Sequence, residues 1–173
     1  MPSPDGRFEL DARRCISYFT IELRDSIPEK LRASMGPHLF GCDICQDVCP
    51  WNSRAIRKNE PIFAPREFAP SLERMASIGE AEFREMFRHS PVSRAKYRGF
   101  LRNVAVAMGN SGLEKFREPL TRLAGLEDPL VAEHARWAIG RLGGEGDTSA
   151  SRGAFQLSER GRAGGSAYPT LKT

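Results

Sequence analysis

The chain has 173 residues, enough for one domain or a closely packed pair of domains with a buried core. Hydrophobic residues make up 40% of it and charged residues 28%, which excludes a wholly disordered chain. No apolar run reaches the about 18 residues that a membrane-spanning helix needs, and the N-terminus lacks the apolar segment of a signal peptide. We therefore predict a cytoplasmic protein, whose net charge of +4 permits but does not require a polyanionic partner.

The first segment leads from the N-terminus to an isolated cysteine, Cys15. Residues 15–23 are rich in β-branched and aromatic residues, and their pattern is compatible with both a strand and a helix. Pro28 is placed to begin a short helix that reaches about Ala33. A Gly-Pro pair at residues 36–37 then breaks the chain, so the cysteines that follow are predicted to lie on loops and short turns.

Three more cysteines lie close together in the sequence CDICQDVCP, which has the spacing C-x2-C-x3-C-P. This spacing matches the last three cysteines and the proline of the run that binds 4Fe-4S clusters in bacterial ferredoxins. Disulfides are rare in a reducing compartment, so metal binding or redox chemistry is the favoured role of the cysteines. We predict that they bind iron-sulfur clusters, and the candidate ligands are Cys15, Cys42, Cys45 and Cys49.

The cysteines are too few to complete a two-cluster module. Each 4Fe-4S cluster takes four thiolates, and the chain has only four cysteines in all. Cys42 and Cys45 are spaced to bind one cluster. Cys15 could be a third ligand of the same cluster if the chain folds back to that site. Cys49, followed by proline, is directed toward a second cluster. Two alternatives stay open: a zinc site made by all four cysteines, and a structural role for Cys15 as a small buried residue.

Composition divides the chain into three parts. Three prolines between residues 60 and 71 interrupt any regular helix or central strand, so we place a module boundary there. Residues 1–60 then form a partial double 4Fe-4S ferredoxin-like module, and residues 61–142 form a helical domain. Residues 143–173 contain seven glycines and few large apolar groups, and we predict a disordered tail.

The helical domain opens with two amphipathic patterns. The sequence SIGE at residues 77–80 has the spacing of a capping box and predicts a helix that reaches about Arg88. Phe100, Val104 and Met108 then recur at four-residue steps and predict a second helix, which the sequence GNSG at residues 109–112 ends.

Two further helices follow. Pro119 is tolerable only if the third helix starts near Phe116. Asp128 and Pro129 are suited to the N-cap and first turn of the last helix, which ends near Gly143. Short helices joined by tight turns suggest HEAT-like stacking. The predicted fold class is therefore mainly α: a partial two-cluster ferredoxin-like module followed by short HEAT-like repeats.

Basic residues are concentrated at the start of the helical domain, where Glu85 is the single acidic residue between positions 84 and 102. This surplus could bind nucleic-acid phosphates, or could simply be a solvated face. The three histidines have no partner at a metal-binding spacing, and we predict structural roles for them. The nucleic-acid candidates are Arg84, Arg88, Arg94, Lys96, Arg98 and Arg102.

Three segments of the first module resemble epoxyqueuosine reductase, the last enzyme of queuosine synthesis on tRNA. They are residues 14–18 (RCISY), 20–22 (TIE) and 41–52 (GCDICQDVCPWN), which include residues between the cysteines. The resemblance extends to Ser90, Arg94 and the Arg102-Asn103 pair of the helical domain, and it covers roughly residues 1–142.

The resemblance implies a fold and an activity. In this family a cobalamin-binding domain precedes a double 4Fe-4S module and a HEAT-like domain, and electrons pass through the clusters to cobalamin to reduce an epoxide. By motif, Cys15, Cys42 and Cys45 resemble three ligands of one cluster. Cys49 resembles a single ligand of the other cluster, the one nearer cobalamin.

The chain departs from the family pattern because it has neither the cobalamin-binding domain nor the upstream C-x2-C-x2-C-x3-C-P segment. We therefore expect a truncated epoxyqueuosine reductase, inactive alone, with tRNA as a partner and possible complementation by a separate chain. No catalytic residue is assigned. The alternative functions are a ferredoxin-like electron carrier and a zinc-stabilised RNA-binding module.

Overall fold

The computed structural model describes residue 6, residues 10–52 and residues 70–143. All regular secondary structure within these ranges is helical, which confirms the mainly α prediction. In this part of the chain no helix is long and apolar enough to cross a membrane. The predicted boundary at residues 60 and 61, and the predicted tail beyond its first residue, lie outside the described residues.

The cysteine-containing part is built from short helical turns. A 3-10 turn precedes Cys15, and residues that fitted both a strand and a helix form one wide helical turn. Thr20 is buried there. Its hydroxyl is satisfied, because it donates to the carbonyl of Ile16 at 2.9 Å and accepts from the backbone N–H of Gly41 at 3.0 Å. The elements are the turn Ala12–Arg14, the π-helical turn Tyr18–Glu22, α1 (Glu29–Arg32), the 3-10 turn Ala33–Met35 and α2 (Ile44–Asp47).

The second part contains five helices, α3 (Leu72–Ser77), α4 (Glu80–Met86), α5 (Lys96–Ser111), α6 (Arg117–Ala124) and α7 (Pro129–Arg141). The capping box predicted at Ser77 is wrong. Ser77 ends α3, where its hydroxyl donates to the carbonyl of Arg74 at 2.9 Å, and the N-cap of α4 is Gly79. Ser71 caps α3 instead, because its hydroxyl oxygen accepts the N–H of Arg74 at 3.2 Å.

The predictions for α5, α6 and α7 are confirmed. The helix α5 ends at Gly112, whose φ of 65° is a conformation that glycine adopts without steric cost. Pro119 lies in the first turn of α6, where its missing N–H breaks no hydrogen bond. The carboxylate of Asp128 accepts the N–H groups of Leu130 and Val131 at 2.9 and 3.3 Å, which caps α7 ahead of Pro129.

Two adjoining cores hold the described residues together. The larger lies between α3, α4, α5, α6 and α7, and it includes Phe83, Phe100, Val104, Leu120 and Ala135. The smaller joins the cysteine-containing part to α5, and its buried members are Phe19, Ile27, Met35 and Val106. The helix α5 contributes to both cores, so it is the element that supports the cysteine-containing turns.

The contact between α5 and α7 depends on Gly109. A Cβ atom at Gly109 would lie 2.7 Å from the Cβ and 2.8 Å from the Cα of Ala138, and the two helices would have to separate. We expect Gly109→Ala to lower the free energy of unfolding by about 1–3 kcal/mol, measured by chemical denaturation. Gly140→Ala is the matched control, since nothing lies within 4 Å of its Cβ position. The control should be neutral or stabilising by up to about 1 kcal/mol, and equal losses in the two variants would contradict the prediction.

Candidate iron-sulfur site

The three clustered cysteines surround the short helix α2. Cys45 lies within α2, Cys42 lies two residues before it and Cys49 lies two residues after it. The thiols of Cys42 and Cys49 are half-buried, whereas those of Cys15 and Cys45 are exposed. The backbone N–H of Asp47 bonds the carbonyl of Asp43 at 2.9 Å, so one helical turn sets the positions of the cysteines in the motif.

The segment around Cys15 contacts the segment around Cys42. The hydroxyl of Ser17 donates to the carbonyl of Cys42 at 3.3 Å. Burial raises the pKa of the Cys42 thiol; a hydrogen bond from the N–H of Ile44 opposes this effect, and the charges of Cys15 and Cys45 reinforce it. The charge of Cys15 thus acts on Cys42, although 27 positions separate the two in the sequence.

Two donors act on the sulfur atoms of Cys42 and Cys45, and no sequence motif predicts them. The N–H of Ile44 bonds the sulfur of Cys42, and the amide of Gln46 donates to the sulfur of Cys45 at 3.9 Å. The side-chain amide of Asn52 holds Gln46 in place by donating to its side-chain oxygen at 2.8 Å and to its backbone carbonyl at 3.1 Å. Hydrogen bonds to the sulfur ligands are a means by which proteins tune iron-sulfur clusters, so this donor set fits such a group.

The arrangement does not resemble a single-metal site. Within residues 10–52 and 70–143, no three side chains of histidine, cysteine, aspartate or glutamate converge as they would around one metal ion. A zinc site needs four ligands at about 2.0–2.3 Å from the same ion, whereas a cluster distributes its thiolates over several iron atoms. The separation of the thiols is compatible with a cluster, and the spacing alone leaves the zinc alternative open.

Arg102 ties the cysteine-containing part to α5, which corrects its prediction as a nucleic-acid ligand. The side chain is 1% exposed. One terminal nitrogen donates to the carbonyls of Leu23 and Asp25 at 3.0 and 2.8 Å, and the other to the carbonyl of Phe19 at 2.5 Å. The side-chain oxygen of Asn103 accepts from the same guanidinium at 2.9 and 3.1 Å. A buried guanidinium with these partners is not available to a phosphate.

Asn103 extends this connection toward the cysteines. Its amide donates to the carbonyl of Thr20 and to the carbonyl of Leu39, both at 2.9 Å. The first carbonyl belongs to the turn that follows Cys15 and the second to the loop that precedes Cys42. One asparagine on α5 thus fixes the two segments that bring Cys15 and Cys42 together.

The other basic candidates lie on the surface, and carboxylates both near and distant in sequence neutralise part of their charge. Arg94 pairs with Glu22, and Arg98 pairs with Asp128 at 3.1 Å. Arg84 pairs with Glu80 within α4 at 2.6 Å, and Arg88, just after α4, pairs with Glu85 at 2.5 Å. Lys96 is exposed and forms no ion pair with any described residue.

Comparison with known proteins supports the iron-sulfur interpretation. Residues 2–52 match the family of 4Fe-4S double cluster binding domains. The chain is also 43% identical over 142 residues to the epoxyqueuosine reductase of Pseudomonas aeruginosa, an alignment that covers 80% of this chain. The chain belongs to the epoxyqueuosine reductase family. The Escherichia coli K12 enzyme is 41% identical to it over 134 residues, or 76% of the chain.

Solved structures of epoxyqueuosine reductases have the same fold over most of the chain. One of them, solved with an epoxyqueuosine-modified tRNA-Tyr stem loop, has a TM-score of 0.69 and 29% identity over 88% of the chain. The enzyme from Bacillus subtilis gives a TM-score of 0.66 at 30% identity. The chain spans 35% of the Escherichia coli relative, 39% of the Pseudomonas relative and 40% of the tRNA-bound structure, so it matches only part of each.

Proposed function

We propose that this chain is the iron-sulfur and tRNA-binding part of an epoxyqueuosine reductase and serves the reduction of epoxyqueuosine to queuosine in tRNA. The observation that carries the proposal is the match of residues 2–52 to a 4Fe-4S double cluster binding domain, a range that contains all four cysteines. The location is the cytoplasm, where such thiolates stay reduced. A 4Fe-4S cluster supplies one-electron redox chemistry when bound.

Cys15, Cys42 and Cys45 hold one cluster, and Cys49 contributes a single thiolate to the other. Ile44 and Gln46 donate hydrogen bonds to two of these sulfurs, which stabilises their thiolate charge. The four cysteines of this sequence do not fill two clusters, so the proposal requires further thiolates, and the cobalamin-binding domain that the resemblance implies, from outside these 173 residues.

The tRNA-binding role is supported by the relative whose structure contains a tRNA stem loop and by the surface cations of this chain. Phosphate contacts set affinity and register in protein–nucleic acid complexes. The proposed contacts are Arg84, Arg88, Arg94, Lys96 and Arg98. Arg102 is excluded from this set because it is buried.

Metal analysis of cysteine variants tests the proposal. The anaerobically purified chain should contain iron and acid-labile sulfide in similar amounts, because a 4Fe-4S cluster has equal numbers of both. Cys42→Ser and Cys45→Ser should each remove most of the iron, whereas Cys49→Ser should retain most of it. Combined with a part that supplies the cobalamin-binding domain and the remaining thiolates, the unmodified chain should convert epoxyqueuosine to queuosine in tRNA.

Ser17→Ala is a control that keeps every cysteine and removes only the hydroxyl contact to the carbonyl of Cys42. It should retain most of the iron. A zinc-containing protein with no iron would contradict the cluster assignment. Equal loss of metal in all the cysteine variants would show a single site of four thiolates and overturn the division of ligands. A chain that keeps its iron but does not support conversion in the complemented assay would overturn the reductase assignment alone.

A further inference from the structure

A basic cleft lies where α4, the 3-10 turn Pro91–Ala95 and the start of α5 meet. Its volume is about 330 Å3, at the lower end of the range for ligand sites, roughly 300–1,000 Å3. Its base is a rigid aromatic cluster, since the rings of Phe83 and Phe87 lie 5.1 Å apart and those of Phe83 and Tyr97 lie 5.8 Å apart. The hydroxyl of Tyr97 is fixed by a bond to the carbonyl of Ile78 at 2.9 Å.

Positively charged groups predominate around this cleft. Glu80 is the one acidic side chain among the described residues that line it, and the ion pair with Arg84 neutralises its charge. The guanidinium of Arg88 is held by Glu85, which is not among the lining residues. Lys96 has no carboxylate partner in the described part of the chain. The donors that line the cleft are Arg84, Arg88, His89 and Lys96.

Backbone strain is concentrated at the same place. His89 and Lys96 have φ values of 61° and 59°, and they are the only non-glycine residues with positive φ in the described part of the chain. The ψ of Lys96 is 159°, which places it in a region that is nearly exclusive to glycine. Such conformations persist only where the surrounding structure imposes them, and they are concentrated at functional sites. Both strained residues line the cleft.

The turn between the strained residues is held internally, so its conformation does not depend on a ligand. The hydroxyl of Ser90 accepts the N–H of Val92 at 3.3 Å, and the hydroxyl of Ser93 donates to the carbonyl of Ser90 at 2.8 Å. These hydrogen bonds hold His89 and Lys96 at the two ends of the turn despite their unfavourable φ values. A lysine in this position costs stability that glycine would not.

We propose that this cleft binds a phosphodiester group of RNA, with Lys96 and Arg88 as charged donors and His89 as an imidazole N–H donor. Two cations and an imidazole around one concave site match the charge and the acceptor oxygens of a phosphate. This inference rests on the proposed tRNA-binding function and assigns it a position. It gives a binding role to His89, whose sequence context predicts only a structural one.

Lys96→Gly separates binding from folding. It removes the ammonium group and also relieves the backbone strain, so the melting temperature should rise by a few degrees while RNA affinity falls. With a fluorescent tRNA-Tyr stem-loop as the probe, the dissociation constant should increase on the order of threefold to tenfold. The slope of log affinity against log salt concentration should decrease by about 1, as expected for one lost phosphate contact. Arg88→Gln should produce a similar change in slope without the gain in melting temperature.

Lys30→Gln is the matched control, since Lys30 is exposed, lies on α1 and does not line the cleft. It should leave the salt slope unchanged. Inorganic phosphate, titrated while the ring resonances of His89 are followed by NMR, distinguishes a free anion from an RNA phosphate. The stem-loop should shift these resonances at a concentration at least tenfold below that at which inorganic phosphate does.

Three results would overturn the proposal. If the wild-type chain binds the stem-loop and neither cleft variant changes the slope of log affinity against log salt concentration, then tRNA binds this chain at a site other than the cleft. Failure of the wild-type chain to bind the stem-loop would remove the tRNA-binding part of the proposed function as well, without affecting the iron analysis. A shift of His89 by inorganic phosphate but not by the stem-loop would show an adventitious anion site only.

Discussion

Replacing Arg102 with methionine should lower the free energy of unfolding by about 3–5 kcal/mol, because it leaves several buried carbonyl groups without a donor. The guanidinium bonds three carbonyls, those of Phe19, Leu23 and Asp25, and also the side chain of Asn103. Methionine preserves much of the apolar stem of the side chain and supplies none of these hydrogen bonds. The variant therefore isolates the polar part of the connection.

Arg102 remains charged at neutral pH although it is buried. Burial lowers its pKa from 12.5 to about 10, with smaller contributions from Arg24 and Arg98. No ion pair in the described residues neutralises it, so the carbonyl dipoles and the more distant charge of Asp25 stabilise the guanidinium. A substitution that removes either the guanidinium or its carbonyl partners leaves the other group buried without a hydrogen-bond partner. We therefore expect a loss of stability larger than that of most substitutions.

The consequence should extend to the cysteines. The carbonyls that Arg102 fixes follow Cys15 in the chain, so Arg102→Met should also reduce the iron retained after anaerobic purification. Arg98→Met is the control, because Arg98 lies one turn earlier on α5 and forms an exposed ion pair with Asp128. Its expected loss is below about 1 kcal/mol, as for most surface ion pairs. Denaturation curves that coincide for the two variants would show that the buried hydrogen bonds contribute little.

Apolar periodicity and capping residues predicted the helices in which they occur. The stripe of Phe100, Val104 and Met108 predicted α5, and the Asp128-Pro129 pair predicted the start of α7. The start of α4 was assigned wrongly, because the capping-box spacing at Ser77 occurs by coincidence within the end of α3. A six-residue helix such as α3 carries too few apolar positions for its period to be recognised.

For the candidate site, the spacing of the cysteines predicted their chemistry but could not predict their surroundings. The donors from Ile44 and Gln46 depend on where one turn of α2 directs an amide, and no sequence pattern encodes that direction. Charge counting along the chain failed for Arg102, since a count of residues does not say which side of α5 each occupies. The partners of Arg94 and Arg98 are 72 and 30 positions away, so their neutralisation depends on the tertiary fold.

His134 is the buried group whose titration should affect stability most. Its Nδ1 lies 2.7 Å from the carbonyl of Leu130, and its Nε2 accepts the backbone N–H of Ile27 at 3.1 Å. These two partners require the neutral ring with its proton on Nδ1, because a proton on Nε2 would face another N–H. Burial lowers the pKa of His134 from 6.5 to about 4; the carbonyl of Leu130 opposes this effect, and Arg32 adds to it.

The lowered pKa predicts a loss of stability in acid. Above pH 6.5 the ring is neutral in both the folded and the unfolded chain, so His134 contributes no pH dependence there. Between pH 6.5 and about 4 the unfolded chain binds a proton that the folded chain does not, so the free energy of unfolding falls as the pH falls. The loss attributable to His134 should reach about 3 kcal/mol near pH 4, since each unit of pKa difference corresponds to about 1.4 kcal/mol.

Urea denaturation at a series of pH values measures this contribution as the difference between wild type and His134→Gln. Glutamine does not titrate, so the variant should lose stability less steeply than the wild type below pH 6.5, whatever its stability at neutral pH. Carboxylates such as Glu133 titrate in both proteins, so the comparison removes most of their effect. If His134→Gln and the wild type lost stability in parallel from pH 6.5 to 4, the buried ring would have to be protonated in the folded chain, and the hydrogen bond from Ile27 could not persist in acid.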